Sequence, residues 1–173
     1  MVCAWNSSWG NKRVGMKSSV EVKNISFSYG KTEILNDLSL DIDLPLVEII
    51  EIKKNKSFYL SNKEIIPIEV MHQKLPVLGF RVDKFAYLTV VKTISSNEIK
   101  KLSNLDVLVI NTLRLESHPS HLNLIEAIEI IKAINPKKTF LTHISNQLGF
   151  HKEVSKKLPE NIFLAYDGME INL

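Results

Sequence analysis

Two predicted buried strands with a helical segment between them constrain the fold of this chain more than any other feature. Residues 105–110 are nearly continuous in apolar side chains, which predicts a strand that is covered on both faces, and residues 139–144 are predicted to form another buried strand. Residues 123–134 have polar side chains at helical spacing, begin at an Asn that can cap a helix, and are followed by Pro136. The pattern predicts a layered α/β fold in which a sheet and helices share one core.

Shorter elements are predicted on both sides of this unit. The predicted strands are 20–27, 34–42, 46–52, 65–72, 80–82 and 85–91, with a loop at 75–79 and a tight turn at 83–84. A capping box at Ser95 opens a short helix to residue 102, and a second short helix covers 151–158. Residues 162–166 and 169–173 are predicted to form a closing hairpin around Asp167 and Gly168.

Length and composition exclude several classes of protein. The chain has 173 residues, one cysteine and a net charge of +3 that is scattered along the sequence. An internal disulfide is therefore excluded, and nucleic acid is not an expected partner. No stretch reaches the roughly 18 apolar residues of a membrane helix, so we expect no membrane partner and a cytoplasmic location. The predicted organisation is a loose leader (1–19), an N-terminal β-hairpin (20–42) and a layered part (43–173).

The N-terminal hairpin resembles the opening hairpin of ABC transporter ATPases. The resemblance covers residues 20–42, and in that family the residue that matches Tyr29 stacks on adenine. The family then requires a glycine-rich phosphate loop, and no G-x-x-x-x-G-K-[ST] motif follows here. An ATP-binding fragment is thus the third of our functional hypotheses, and an ordinary β-hairpin is the structure we expect.

Residues from about 44 to 173 resemble the C-terminal half of a metallo-β-lactamase-fold hydrolase, in the branch of cyclic-phosphate phosphodiesterases and tRNA-processing endonucleases. The matching motifs are IPIEVMH (66–72), LPVLGFR (75–81), FAYLT (85–89), LDVLVIN (105–111), HPSH (118–121), LTHIS (141–145) and YDG (166–168). The resemblance implies half of an αββα sandwich, with a mixed sheet, two to three helices and the N-terminal hairpin.

That family uses two divalent metals, zinc or manganese, to turn a water into a nucleophile. By resemblance, His72 and His143 match two of the metal ligands. The bridging Asp of the family would follow Thr89, where this sequence has Val90. The H-x-H-x-D-H motif of the family is absent, since the first 71 residues contain no histidine. We therefore expect that this chain does not bind both metals fully.

The resemblance also implies catalytic roles for the HPSH loop. Related phosphodiesterases use a histidine of this loop to protonate the leaving oxygen, a role that suits the near-neutral pKa of imidazole. His118 and His121 are both candidates, and a pair that only caps a helix is the alternative. Arg114 is a candidate for substrate phosphate, with a solvated side chain as its alternative.

Two further functional hypotheses follow from these residues. In the first, the chain is a truncated hydrolase of small phosphodiesters that is inactive alone. In the second, it is a non-catalytic binding or scaffold module. In either case a second copy of the chain, or another partner, is expected to cover the exposed side of the half-sheet, and the N-terminal hairpin is a further candidate for that role.

Overall fold

The structure is a computed structural model that describes the backbone of residues 19–29 and 32–43, and residues 51–171 in full. It divides into two compact units, residues 1–50 and residues 51–173. In the first unit, β1 (Ser19–Tyr29) pairs antiparallel with β2 (Thr32–Asp43), as the hairpin prediction required. Most of the strand predicted at 46–52 lies outside the described residues, and residues 51 and 52 are not in a strand.

The second unit is one mixed sheet with helices on one side. Its strands are β3 (Phe58–Leu60), β4 (Lys63–His72), β5 (Leu75–Val82), β6 (Phe85–Leu88), β7 (Thr93–Ile94), β8 (Val107–Asn111), β9 (Lys138–Thr142) and β10 (Ile162–Leu164). Their order is β10-β9-β8-β6-β5-β4-β3, and β7 pairs with β4. Strands β3 to β6 form an antiparallel meander, whereas β6, β8, β9 and β10 are parallel neighbours. The predicted α/β half-sandwich with a mixed sheet is confirmed.

Three α-helices accompany the sheet within residues 51–171, and side-chain capping explains where the first two begin. They are α1 (Ser96–Lys100), α2 (Leu124–Ile134) and α3 (His151–Ser155). At the start of α2, Asn123 and Glu126 form the full capping box, each accepting a hydrogen bond from the backbone N–H of the other. Helix α2 ends at Asn135, which has a left-handed backbone, and Pro136 prevents its continuation.

The core lies between the sheet and these helices. Helix α2 buries Ala127, Ile131 and Ile134, which belong to the same core as inward-facing residues of the sheet. The sheet contributes Ile68, Val70, Ala86, Leu88, Leu108, Ile110, Leu141 and Leu164. On the opposite face, Phe140 and Phe163 stack with ring centroids 5.5 Å apart and Phe163 remains exposed. That a second copy or a partner covers this face stays a prediction.

Two local predictions are wrong. Residues 75–79 belong to β5 instead of a loop, and the turn falls earlier, between His72 and Leu75. Residues 169–171 form no strand, although the predicted turn exists, with Gly168 at φ 83° and Met169 N–H bonded to Tyr166. The reason is that β10 pairs in parallel with β9, so its partner comes from a distant part of the chain. Across the described residues, no helix has the length and apolar character needed to cross a membrane.

Candidate functional site

Five strands end at the same edge of the sheet. Strands β8, β9 and β10 run parallel to β6, and β4 is two antiparallel steps away from β6, so all five point the same way. His72 is the last residue of β4, and His143 follows the end of β9. The loop after β8 carries His118 and His121. This edge is where open α/β sheets place their ligand sites.

The structure brings these four histidines into one group around His121, which we call the histidine cluster. The ring centroid of His121 is 4.7 Å from that of His72, 5.1 Å from that of His118 and 4.8 Å from that of His143. Its Nδ1 lies 3.2 Å from Nδ1 of His118, and its Nε2 lies 3.1 Å from Nε2 of His143. Ser120 joins the group, with its Oγ 3.2 Å from His118 Nδ1 and 2.9 Å from His121 Nδ1.

His121 has the most perturbed ionisation in the cluster. Its pKa is lowered to about 4, first by burial and then by the charges that His143, His72 and His118 would carry. Burial disfavours the charged imidazolium, and like charges disfavour it further. At neutral pH His121 is therefore an uncharged imidazole, with one N–H donor and one free lone pair.

The backbone beside the cluster is held in an unusual conformation at Val90. This residue has φ 57°, in the left-handed region that β-branched side chains rarely enter. The two residues after Val90 hold this backbone between two segments that carry histidines. Lys92 N–H donates to Met71 C=O (2.7 Å), next to His72, and Leu122 N–H donates to Val91 C=O (3.0 Å), next to His121. Val90 thus lies on a segment that links β4 to the histidine loop.

Asn111, the last residue of β8, holds this segment from inside the core. Its side chain is fully buried (0% exposed). Its Oδ1 accepts from Val91 N–H at 2.6 Å, and its Nδ2 donates to Val91 C=O at 3.1 Å. These bonds compensate for the backbone strain at Val90, because they fix the following residue at both of its polar groups.

The described donor atoms do not fit the two-metal site that the resemblance implies. Imidazole suits zinc and other transition metals, and His72 Nε2 is buried with no hydrogen-bond partner among the described residues, as an atom awaiting a ligand would be. However, within residues 51–171 no three His, Cys, Asp or Glu side chains are placed to hold one ion. The bridging carboxylate position is Val90, and a catalytic metal normally has about three protein ligands.

His151, the fifth histidine, and Arg114 are not part of the histidine cluster. His151 begins α3 and its ring meets that of Tyr166 edge to face, with centroids 6.3 Å apart. Arg114 bonds Gln147 through its Nη1 (2.9 Å) and the carbonyls of Glu116 and Ser117 through Nε and Nη2. Its guanidinium therefore joins the loop after β8 to the loop after β9. That Arg114 binds phosphate stays a prediction, as do the roles of His72, His118, His121 and His143.

The sequence analysis did not identify two residues of the site, Asn111 and Ser120. Asn111 is a polar residue that ends an apolar strand, and such a position at a strand's carboxyl end is a reasonable signal for a site residue. Ser120 sits between two histidines in HPSH, but only the folded loop turns its hydroxyl toward both rings. The central place of His121 likewise depends on contacts between residues far apart in the sequence.

A half-sandwich with histidines at the carboxyl edge of its sheet is the arrangement expected of part of a metallo-β-lactamase fold. Residues 24–144 match the family model described as β-lactamase superfamily domain, so the chain belongs to that superfamily. The match begins inside β1, and the resemblance of residues 20–42 to ABC transporter ATPases is not supported, since the hairpin falls largely within the superfamily match.

Several known proteins are similar to this chain in sequence or structure. An octanoyltransferase from Porphyromonas gingivalis is 35% identical over 127 residues, which are 73% of this chain and 26% of that protein. A crystal structure of a diphosphatase from the PhnP family is 32% identical, with a TM-score of 0.70 over 73% of this chain and 49% of that one. The short form of human tRNase Z shares the fold (TM-score 0.51, 18% identity, 66% of this chain and 45% of that one). The chain thus spans about half of the diphosphatase and about a quarter of the octanoyltransferase.

Proposed function

We propose that the histidine cluster binds the phosphate of a small phosphodiester and is one part of a metal-dependent site that hydrolyses it. The convergence of His72, His118 and His143 on His121 carries this proposal. The similarity to a diphosphatase of the PhnP family supports a phosphate-containing compound as the substrate class. Imidazole N–H groups donate hydrogen bonds to anionic oxygens, and bonds of that kind are strong because the acceptor is charged.

Within this site the histidines have distinct proposed roles. His72 and His143 would hold zinc or manganese, which would supply Lewis-acid activation of a water. His118 or His121 would give a proton to the leaving oxygen. Burial and the neighbouring imidazoles lower the pKa of His121 to about 4, which disfavours its protonated form at neutral pH.

The site needs further ligands from outside residues 51–171. Four imidazoles without a carboxylate do not make a two-metal centre, and Val90 adds an apolar side chain where the family has a bridging acid. We therefore propose that residues 51–171 alone bind phosphate without turnover. Val90 also favours a second candidate function, in which the protein binds phosphodiesters and does not hydrolyse them.

Long-range ¹H–¹⁵N NMR of the five imidazoles tests phosphate binding directly. Dimethyl phosphate is the probe, since it is a phosphodiester without an aromatic group. We expect it to shift the signals of His72, His118, His121 and His143 and to leave His151 unchanged, because His151 lies outside the cluster. Equal shifts of all five imidazoles, or no shift of the cluster at saturating probe, would contradict the proposal. Hydrolysis of bis(p-nitrophenyl) phosphate by residues 51–171 would contradict the proposed binding without turnover.

A further inference from the structure

The face of the sheet that lies opposite the helices is lined by aromatic side chains. Directly paired residues of neighbouring strands share one face of a sheet. The strand register therefore forms one long row from Pro67, Phe80, Tyr87, Val109, Phe140 and Phe163. A second row beside it contains Phe58, Ile65, Val82, Phe85 and Val107. We call the surface made by these two rows the aromatic face.

The aromatic face holds most of the phenylalanine of the chain. Five of the seven phenylalanines lie on it, whereas the core on the other side of the sheet, within residues 51–171, is built from Ile, Val, Leu and Ala. Phenylalanine is among the residues most often buried, yet Phe163 is 43% exposed and Tyr87 is 46% exposed. A sheet that is apolar on both faces is stable in water when both faces are covered.

The size of the aromatic face is close to what a stable dimer needs. Its long row crosses six strands, which at the usual strand spacing is about 24 Å. Along the strands the face takes up three alternate positions, or about 20 Å, because Leu60 extends it and is 68% exposed. Two such faces packed together remove roughly 1,000 Å² from water before the relief of the side chains is counted, and specific interfaces begin near that area.

The charges beside the aromatic face favour a second copy of this chain as its occupant. Residues of both rows line a cavity of about 940 Å³, together with four lysines and three acidic residues. Two ion pairs border it: Lys63 with Asp83, and Lys137 Nζ with Asp106 Oδ1 at 2.7 Å. A border that carries both signs in nearly equal number is complementary to itself, whereas a strongly acidic or basic partner would match a border of one sign.

We propose that two copies of this chain form a two-fold dimer through the aromatic face, with their sheets packed about 10 Å apart. Tyr87 lies on β6, near the middle of the long row, and is therefore at the centre of the contact. The inference does not depend on the proposed function. Polar residues (Glu69, Asn111 and Thr142) follow the long row two positions later, so the aromatic face ends before the edge that carries the histidine cluster.

Sedimentation velocity of the full 173-residue chain tests the dimer. We expect the dimer to predominate at about 100 μM, since specific association through such an area reaches micromolar affinity. Tyr87→Lys should weaken association at least about thirtyfold, because it places an unpaired charge at the centre of an apolar contact. Tyr59→Lys is the matched control and should stay within about threefold, since Tyr59 is 69% exposed on the opposite face of the sheet.

The possible outcomes decide between this interface and other arrangements. A chain that stays monomeric at about 100 μM overturns the proposal, because another segment or partner then covers the aromatic face. Equal weakening by Tyr87→Lys and Tyr59→Lys also overturns it, since the interface then lies elsewhere. Urea unfolding shows whether Tyr87→Lys still folds. If it does not, isotope-filtered NOE spectra of a mixed sample of labelled and unlabelled original chains decide: contacts between the aromatic rings of two copies support the dimer, and their absence overturns it.

Discussion

Replacing Asn111 with alanine removes the side chain that holds the backbone beside the histidine cluster. Both polar groups of Val91 bond to Asn111, at 2.6 Å and 3.1 Å, and the side chain is fully buried. In the variant, Val91 C=O keeps the bond from Leu122 N–H, whereas Val91 N–H loses the one side-chain acceptor that the structure gives it. The perturbation therefore leaves one buried donor without a partner.

The expected loss of stability follows from these contacts. Two hydrogen bonds contribute about 1 kcal/mol each, and an unsatisfied buried N–H costs about 1 to 3 kcal/mol. Some of these contributions overlap, and we expect the free energy of unfolding to fall by about 3 kcal/mol. Such a loss is a large fraction of the roughly 5 to 15 kcal/mol by which a domain is stable.

Urea unfolding followed by far-UV circular dichroism measures this change. Asn97→Ala is the control, because Asn97 is exposed in α1 and alanine is the better helix former. We expect the control to stay within about 0.5 kcal/mol of the original protein. A loss below about 1 kcal/mol for Asn111→Ala would refute the reasoning, since it would mean that the Val91 backbone does not depend on Asn111.

Three further changes test other parts of the structure. Val90→Asn should raise the free energy of unfolding by about 1 kcal/mol, because Asn tolerates the left-handed backbone that strains Val90; a loss of stability would contradict the strain. Gly79→Ala should cost about 1 to 3 kcal/mol, since its Cβ would lie 2.5 Å from Leu88 Cδ2 and 2.8 Å from the Tyr87 carbonyl oxygen; an unchanged urea midpoint would show that the strands can separate. The lowered pKa of His121 means that the unfolded chain binds more protons between pH 6.5 and about 4. Its contribution to stability is therefore complete above pH 6.5 and falls as the pH drops through this window, and His121→Gln should flatten the pH profile of the urea midpoint.

Local signals in the sequence predicted the elements whose structure is decided locally. The capping box of Asn123 and Glu126 predicted the start of α2, and the apolar run at residues 105–110 located β8. The loop predicted at 75–79 was wrong because Pro76 and Gly79 suggest a turn, whereas pairing of β5 with both β4 and β6 decides the structure there. Long-range pairing overrode the local preference in this case.

The site could be predicted only in part. The resemblance identified His72 and His143 at strand ends, and it identified the HPSH loop. It did not predict that His121 would contact all three other imidazoles, or that Asn111 would support Val90, since those contacts join four separate segments of the chain. The backbone conformation of Val90 is set by bonds from β4, β8 and the histidine loop, and single-sequence patterns carry no record of them.

Metal content together with turnover tests the central claim most directly, namely that the histidine cluster lacks the ligands of a complete two-metal phosphodiesterase site. The chain is equilibrated with zinc or manganese, freed of excess metal, and assayed for bound metal and for hydrolysis of bis(p-nitrophenyl) phosphate. We expect fewer than two bound ions per chain and no metal-dependent turnover, because the bridging position is Val90. Two bound ions per chain with turnover would contradict it, since the chain would then hold a complete catalytic site.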